Sequence, residues 1–119
     1  IEMVPSDSKG LLFCVGCFTE MGANVPNELR YFTERGKIHW VHFRNTKGTT
    51  EKFFETFADC GDTDMYQAAK ALHEAGYQGY LTPDHRIRVE GDSDWGHRYW
   101  AYGLGYNKAV MMSLRSELG

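Results

Sequence analysis

Residues 11–18, LLFCVGCF, form an apolar run with no alternation between polar and apolar positions. A strand that is wet on one side alternates with a period of two, whereas a run of this kind suits a strand covered on both faces, as in a parallel sheet. Parallel neighbours cannot be joined by a tight turn and need crossover connections, usually helices. The run therefore demands helices between strands, and the rest of the chain supplies them.

Asn24 and Pro26 mark a helix start, with proline near the first turn where its missing N–H does no harm. Leu29 and Phe32 give this helix its buried stripe, and Gly36 is placed to end it. A second strand, Ile38 to Asn45, follows at once. Beyond a polar loop around Lys47-Gly48-Thr49-Thr50, residues Phe53 to Cys60 show no assignable pattern. The acidic stretch Asp62-Thr63-Asp64 favours a second helix start, and Met65, Ala69 and Leu72 recur at helical spacing before Gly76. A third strand is expected at Gln78 to Pro83, then a loop with Gly91 and Gly96, then a last helix from about Tyr99 to Leu118.

This order predicts an α/β fold of three consecutive βα units, with parallel strands and right-handed crossovers. Three such strands leave one sheet face uncovered, because a parallel sheet needs both faces buried and these helices cover only one. A full (β/α)8 barrel takes ~250 residues, so 119 residues correspond to somewhat less than half of one. Residues 1–119 are expected to be a single partial-barrel segment that needs upstream strands or a partner chain. The other arrangement is a small open sheet that uses the last helix to cover its second face. The chain begins at Ile1 rather than Met, so its start is expected upstream.

Composition excludes several classes. With 42% hydrophobic and 24% charged residues the chain lies in the ordinary globular range. A formal charge of −3 with acids and bases interspersed gives no basic stripe for a phosphate backbone, which argues against nucleic acid. No apolar stretch approaches the ~20 residues needed to cross a bilayer, and residues 1–10 lack a signal peptide pattern, so no membrane association and a cytoplasmic location are expected. Three cysteines without secretory context read as reduced thiols.

Parallel α/β enzymes build their sites at the C-terminal ends of strands. Cys14, His42 and the Asp84-His85 pair each stand at such an end. Period-two alternation puts Leu12, Cys14 and Gly16 on one face of the first strand, Ile38, Trp40, His42 and Arg44 on one face of the second, and Tyr80, Thr82 and Asp84 on one face of the third. A thiolate, an imidazole and a carboxylate converging from adjacent strand ends would form a mixed soft and hard site suited to Mn²⁺, Fe²⁺, Co²⁺ or Zn²⁺.

Plainer readings compete. Cys14 serves equally as a small buried hydrophobe, and His42 as a core histidine satisfied by a backbone carbonyl. Asp84 is harder to dismiss, since a carboxylate ending an apolar strand is costly unless paired or coordinated. Tyr99, Trp100, Tyr102 and Tyr106 suit packing better than a ligand cage. Cys14-Val-Gly-Cys17 has the CxxC form of redox proteins, but such pairs open a helix, whereas both cysteines here are expected inside a strand and on opposite faces.

Four stretches together, GLLFCVGCFTEMG, RYFTERGKIHWVHFRN, FFETFADCGDTDMYQAAKALHEAGYQGYLTPDH and AYGLGYNKAV, resemble the C-terminal portion of the mannonate dehydratases, sugar-acid dehydratases of the xylose-isomerase-like barrel superfamily. The resemblance covers about residues 10 to 112. It implies a (β/α)8 barrel and a metal-dependent lyase that dehydrates D-mannonate to 2-keto-3-deoxy-D-gluconate with Mn²⁺ or Fe²⁺. It also implies that Cys14, His42 and Asp84 are metal ligands, that His85 is an acid/base residue, and that Tyr102 or Tyr99 is a second catalytic group. Arg44 and Asn45 match the RN pair expected to contact the sugar acid. The family's remaining metal-ligating histidine comes from upstream strands. Two alternatives stand beside this reading, a non-catalytic half-barrel that assembles with a missing half or another copy, and another sugar isomerase or epimerase on the same barrel.

Overall fold

A computed structural model describes residue 3 and residues 5–118. The elements run β1 (Leu11–Cys14), α1 (Val15–Glu20), α2 (Val25–Glu34), β2 (Ile38–His42), β3 (Thr46–Thr49), β4 (Lys52–Glu55), α3 (Met65–Glu74), β5 (Leu81–Thr82) and α4 (His97–Leu118). Three strands form a parallel sheet in the order β1-β2-β5, and β3 with β4 makes a separate antiparallel hairpin. The chain is thus α/β with parallel strands in its main sheet.

The two predicted crossover helices start where their caps require. Asn24 accepts a hydrogen bond from the Asn27 N–H at 3.1 Å with Pro26 in the first turn, and Asp64 accepts from Gln67 N–H at 3.0 Å. Each such cap is worth ~1 kcal/mol. Gly36, at φ +61°, takes the left-handed conformation that ends α2, which a residue with a Cβ adopts only under strain. Leu29 on α2 and Met65, Ala68, Ala69 and Leu72 on α3 then pack against Phe13, Ile38, Val41 and Phe43 of the strands. Fully burying a Leu, Met or Phe side chain contributes roughly 1.5–3 kcal/mol.

Four expectations need correction. The first apolar run stays extended only to Cys14, then turns into α1, whose buried Val15 and Thr19 lie one helical turn apart. Thr19 Oγ1 donates back to the Val15 carbonyl at 2.8 Å, which helps satisfy that short helix. The second and third strands are shorter than predicted, ending at His42 and Thr82. Ile38 does not share the face of Trp40 and His42: the β1–β2 register slips between Leu11 and Leu12, so one extra β2 residue turns Ile38 into the core beside Val41 and Phe43. The polar loop expected around Lys47-Gly48-Thr49-Thr50 is largely β3, and the unassigned stretch after it is in part β4, paired to β3 through a tight turn at Thr50-Glu51.

All three long helices pack into one core. Val110 and Leu114 of α4 join the cluster formed by α2 and α3, so the last helix does not cover the sheet's second face. That face carries Leu12, Trp40 and Tyr80, which are 57%, 40% and 69% exposed. Trp40 and Tyr80 rings lie 5.2 Å apart, and Trp40 Nε1–H donates to Thr82 Oγ1 at 2.8 Å across the strands. Farther toward the strand ends, the same edge of the sheet carries the candidate site.

Candidate metal centre

Cys14 closes β1, His42 closes β2, and Asp84 lies two residues beyond β5. Parallel pairing puts Cys14 opposite His42 and His42 opposite Thr82, so the three side chains leave neighbouring strand ends side by side. One ligand atom from each, Cys14 Sγ, a His42 ring nitrogen and an Asp84 oxygen, lie within 4.8 Å of one another. His42 Nδ1 is 3.2 Å from Asp84 Oδ2. A cation with bonds of about 2.0–2.3 Å spans donors up to roughly twice that far apart, so little movement would bring all three onto one ion. The donor chemistry fits a first-row divalent cation, and three protein ligands leave coordination positions open, as catalytic sites require.

Arg44 organises the surroundings. Its side chain is 3% exposed, and its three nitrogens face different groups. Nη1 donates to both oxygens of Glu55 at 3.0 and 3.1 Å, and Nη2 donates to Cys17 Sγ and Glu20 Oε1, each at 3.4 Å. Nε stands 3.3 Å from Asp84 Oδ2, within ion-pair range but without hydrogen-bond geometry. Burial opposes the guanidinium charge, yet Cys14 and Glu55 beside it raise its pKa, so it stays cationic. Three carboxylates, Glu20, Glu55 and Asp84, surround this single cation. The excess negative charge in a partly buried cleft favours a metal ion. Gly16 makes the arrangement possible, since a Cβ there would lie 2.4 Å from Arg44 Nη1.

His85 joins the cluster from the segment after β5. Its Nδ1 is 2.9 Å from Glu55 Oε1 and its Nε2 is 3.4 Å from Asp84 Oδ2. Glu55 belongs to β4, in the stretch that shows no pattern in sequence, and a glutamate pairing with a residue thirty positions away leaves no local signal. Tyr99 is buried in α4, stacked on Phe57 with centroids 5.8 Å apart. Burial raises the Tyr99 phenol, Glu55 and Asp84 raise it further, and Arg44 opposes them, so its hydroxyl senses the cluster's charges. Tyr102 is directed elsewhere: the Asp59 carboxylate, accepting from its hydroxyl, pushes it up to about 12.

Two expected substrate contacts are occupied within the protein. Asn45, 1% exposed, donates to the Ala58 and Thr63 carbonyls at 2.9 and 2.8 Å and accepts from the Thr46 and Thr63 N–H groups. All four hydrogen-bonding positions of its carboxamide are spent on backbone, leaving none for a sugar acid. Arg44 faces the cluster, but its ring of acids leaves no free fork for a substrate carboxylate. The CxxC expectation also changes: Cys14 caps α1 and Cys17 lies in its first turn, so the two are not on opposite faces of a strand. Burial, with Cys14 adding to it, pushes the Cys17 thiol up to about 11, which keeps it protonated near neutrality and a poor metal ligand.

Among the described residues no helix is long and apolar enough to cross a membrane. Known proteins resemble this chain over nearly its whole length. Mannonate dehydratases of Thermotoga petrophila and Geobacillus thermodenitrificans are 40% and 34% identical to this chain over 92% and 98% of its length. The crystal structure of mannonate dehydratase from Streptococcus suis serotype 2 superposes with a TM-score of 0.82 at 26% identity, covering 98% of the chain. The chain spans only 30%, 33% and 36% of those three proteins. The family model for D-mannonate dehydratase (UxuA) matches residues 1–118, nearly the whole sequence, and the chain accordingly belongs to the D-mannonate dehydratase family.

Proposed function

We infer that this chain is the C-terminal, metal-binding portion of a metal-dependent lyase that dehydrates D-mannonate to 2-keto-3-deoxy-D-gluconate. The observation that carries the reading is the convergence of Cys14, His42 and Asp84 at adjacent strand ends, in a chain of this family. Those three residues would hold a divalent ion, Mn²⁺ or Fe²⁺, whose role when bound is to offset negative charge developing on the substrate carboxylate. The remaining partners follow from the open sheet face. Leu12, Trp40 and Tyr80 are the side chains that further strands of a (β/α)8 barrel would cover, whether supplied upstream or by another chain. Residues 1–119 are in this reading one partial-barrel segment of three βα units.

The protein's own groups handle the protons. Forming the 2-keto product requires loss of the C2 proton, departure of the C3 hydroxyl with an added proton as water, and, in the resulting enol, return of a proton to C3 as the C2 hydroxyl gives up its own. His85, with Nε2 turned toward Asp84, and Tyr99, whose phenol senses the same charges, are the acid/base pair we assign. Tyr99 is preferred to Tyr102 because the latter is committed to Asp59. Arg44 holds Asp84 and Glu55 in place rather than the substrate, and Asn45 braces the loop behind them.

The test is 2-keto acid formation from D-mannonate by the complete enzyme that carries this segment. Loss of a ligand should cost at least as much as loss of its supporting hydrogen bond, so His42→Ala is expected to lower turnover on the order of 100-fold or more and to lower bound metal with it. A folded wild-type enzyme that binds no divalent metal and forms no 2-keto acid would overturn the reading.

A further inference from the structure

We propose that Glu55 is the positioning residue of His85, fixing which imidazole nitrogen faces the reacting centre. This rests on the assignment of His85 as an acid/base group and goes beyond it. The His85 side chain is 60% exposed and sits on an irregular segment, where an unrestrained imidazole would sample several rotamers and both tautomers. Glu55 removes that freedom. The 2.9 Å contact between Nδ1 and Glu55 Oε1 points that edge of the ring at the hairpin, with the carboxylate placed to accept from Nδ1–H. Nε2 is thereby turned the other way, 3.4 Å from Asp84 Oδ2 and toward the candidate metal centre.

Glu55 is itself held. Both of its oxygens accept from Arg44 Nη1, and its backbone is the last rung of the hairpin, opposite Thr46. Thr46 is fully buried, and its hydroxyl donates to the Gly16 carbonyl at 3.2 Å, which anchors the hairpin to the start of α1. A chain of contacts thus runs from the sheet's end through Arg44 and Glu55 to the ring of His85. Exposed ion pairs contribute little to stability, and Glu55 is held by Arg44 and the hairpin, so its place does not require His85. What the contact does is orient. When His85 acts as an acid, its Nε2–H passes to the departing hydroxyl oxygen while the C–O bond breaks, its electron pair leaves with water, and the pair freed by loss of the C2 proton forms the C2=C3 bond. Nδ1 stays on Glu55 throughout, and Glu55 neither gains nor loses a proton.

Glu55→Gln keeps the shape and removes the carboxylate charge that holds the ring by Nδ1. In the complete enzyme that carries this segment, loaded with Mn²⁺ and assayed on D-mannonate, the variant is expected to lower kcat by roughly 10–100-fold, as for other partners that orient a catalytic histidine, with KM within about threefold and bound metal unchanged. In a His85→Asn background the same substitution should cost less than about twofold, because its effect passes through the missing ring. Crystal structures should show the His85 ring in one orientation with Nδ1 on Glu55 in the wild type and turned away from it in Glu55→Gln. An unchanged kcat in Glu55→Gln, an equal loss with and without His85, or a His85 ring left in place by Glu55→Gln would overturn the proposal. If His85→Asn is inactive and any of these holds, Glu55 alone loses its role. If His85→Asn dehydrates D-mannonate at the wild-type rate, the acid/base assignment of His85 falls, and the role of Glu55 falls with it.

Discussion

Arg44 shows how one buried residue can serve a site it does not enter. A guanidinium that is 3% exposed cannot be left unpaired, so it gathers Glu20, Glu55 and Asp84, and in doing so fixes two of the groups around the candidate metal. Its place depends on Gly16, the only residue without the Cβ that would collide with it. The two tyrosines at the start of α4 illustrate the opposite case, in which near neighbours have separate fates. Tyr99 is buried and senses Glu55 and Asp84, while Tyr102 bonds to Asp59. The Tyr102 phenol therefore ionises near 12 rather than 10, because Asp59 favours its neutral form. Its folded pKa is raised, so the interaction stabilises the fold fully below pH 10, the unfolded value, and that contribution is lost as pH rises through about 12. The absorbance titration difference between wild type and Tyr102→Phe should show this late ionisation, and Asp59→Asn should bring it down toward 10. A Tyr102 midpoint unmoved by Asp59→Asn would contradict the pairing.

Elements matter here through what they hold in register. The β3–β4 hairpin delivers Glu55, and Asn45 ties the hairpin's start to the loop that leads into α3. Asn45→Ala would strand the Ala58 and Thr63 carbonyls and two N–H groups in a buried setting, at ~1–3 kcal/mol for each group left unpaired. We expect a loss of about 3 kcal/mol or more, read as a lower urea midpoint at unchanged slope; a loss under about 1 kcal/mol would show that the carboxamide is not the brace described. Helices α2 and α3 were legible in sequence because their signals are local: Asn24, Asp64, Gly36 and Gly76 act within a turn of the helix they bound, whereas α1 was hidden because Val15 to Phe18 continue the apolar run of β1. The hairpin was not, because Lys47-Gly48-Thr49 is polar and short, and its pairing needs Phe53 and Phe54, which stay exposed. Nor was the slip that buries Ile38, since a bulge breaks the period on which the prediction of faces relies. Asn45 illustrates a further limit, as nothing within one or two residues of it reveals that its partners are Ala58 and Thr63.

At the scale of the molecule, one sheet face is packed under three helices and the other presents Leu12, Trp40 and Tyr80 to solvent. Large apolar side chains on a parallel sheet call for a cover, which fits a chain that spans about a third of its relatives. The strand ends at the rim of that face bring together Cys14, His42 and Asp84, with His85 and Glu55 alongside. That Cys14, His42 and Asp84 leave three strands toward one end was readable from the sequence because an apolar run and its direction are local facts, whereas where each strand stops was not, and the surrounding acids come from α1 and the hairpin. The centre of the functional reading is that a thiolate, an imidazole and a carboxylate from these three strands bind one divalent ion. X-ray absorption at the metal edge of the complete Mn²⁺- or Fe²⁺-loaded enzyme tests it most directly: one sulfur scatterer is predicted in the coordination shell, lost in Cys14→Ser, whereas a wild-type shell of oxygen and nitrogen alone would contradict the assignment.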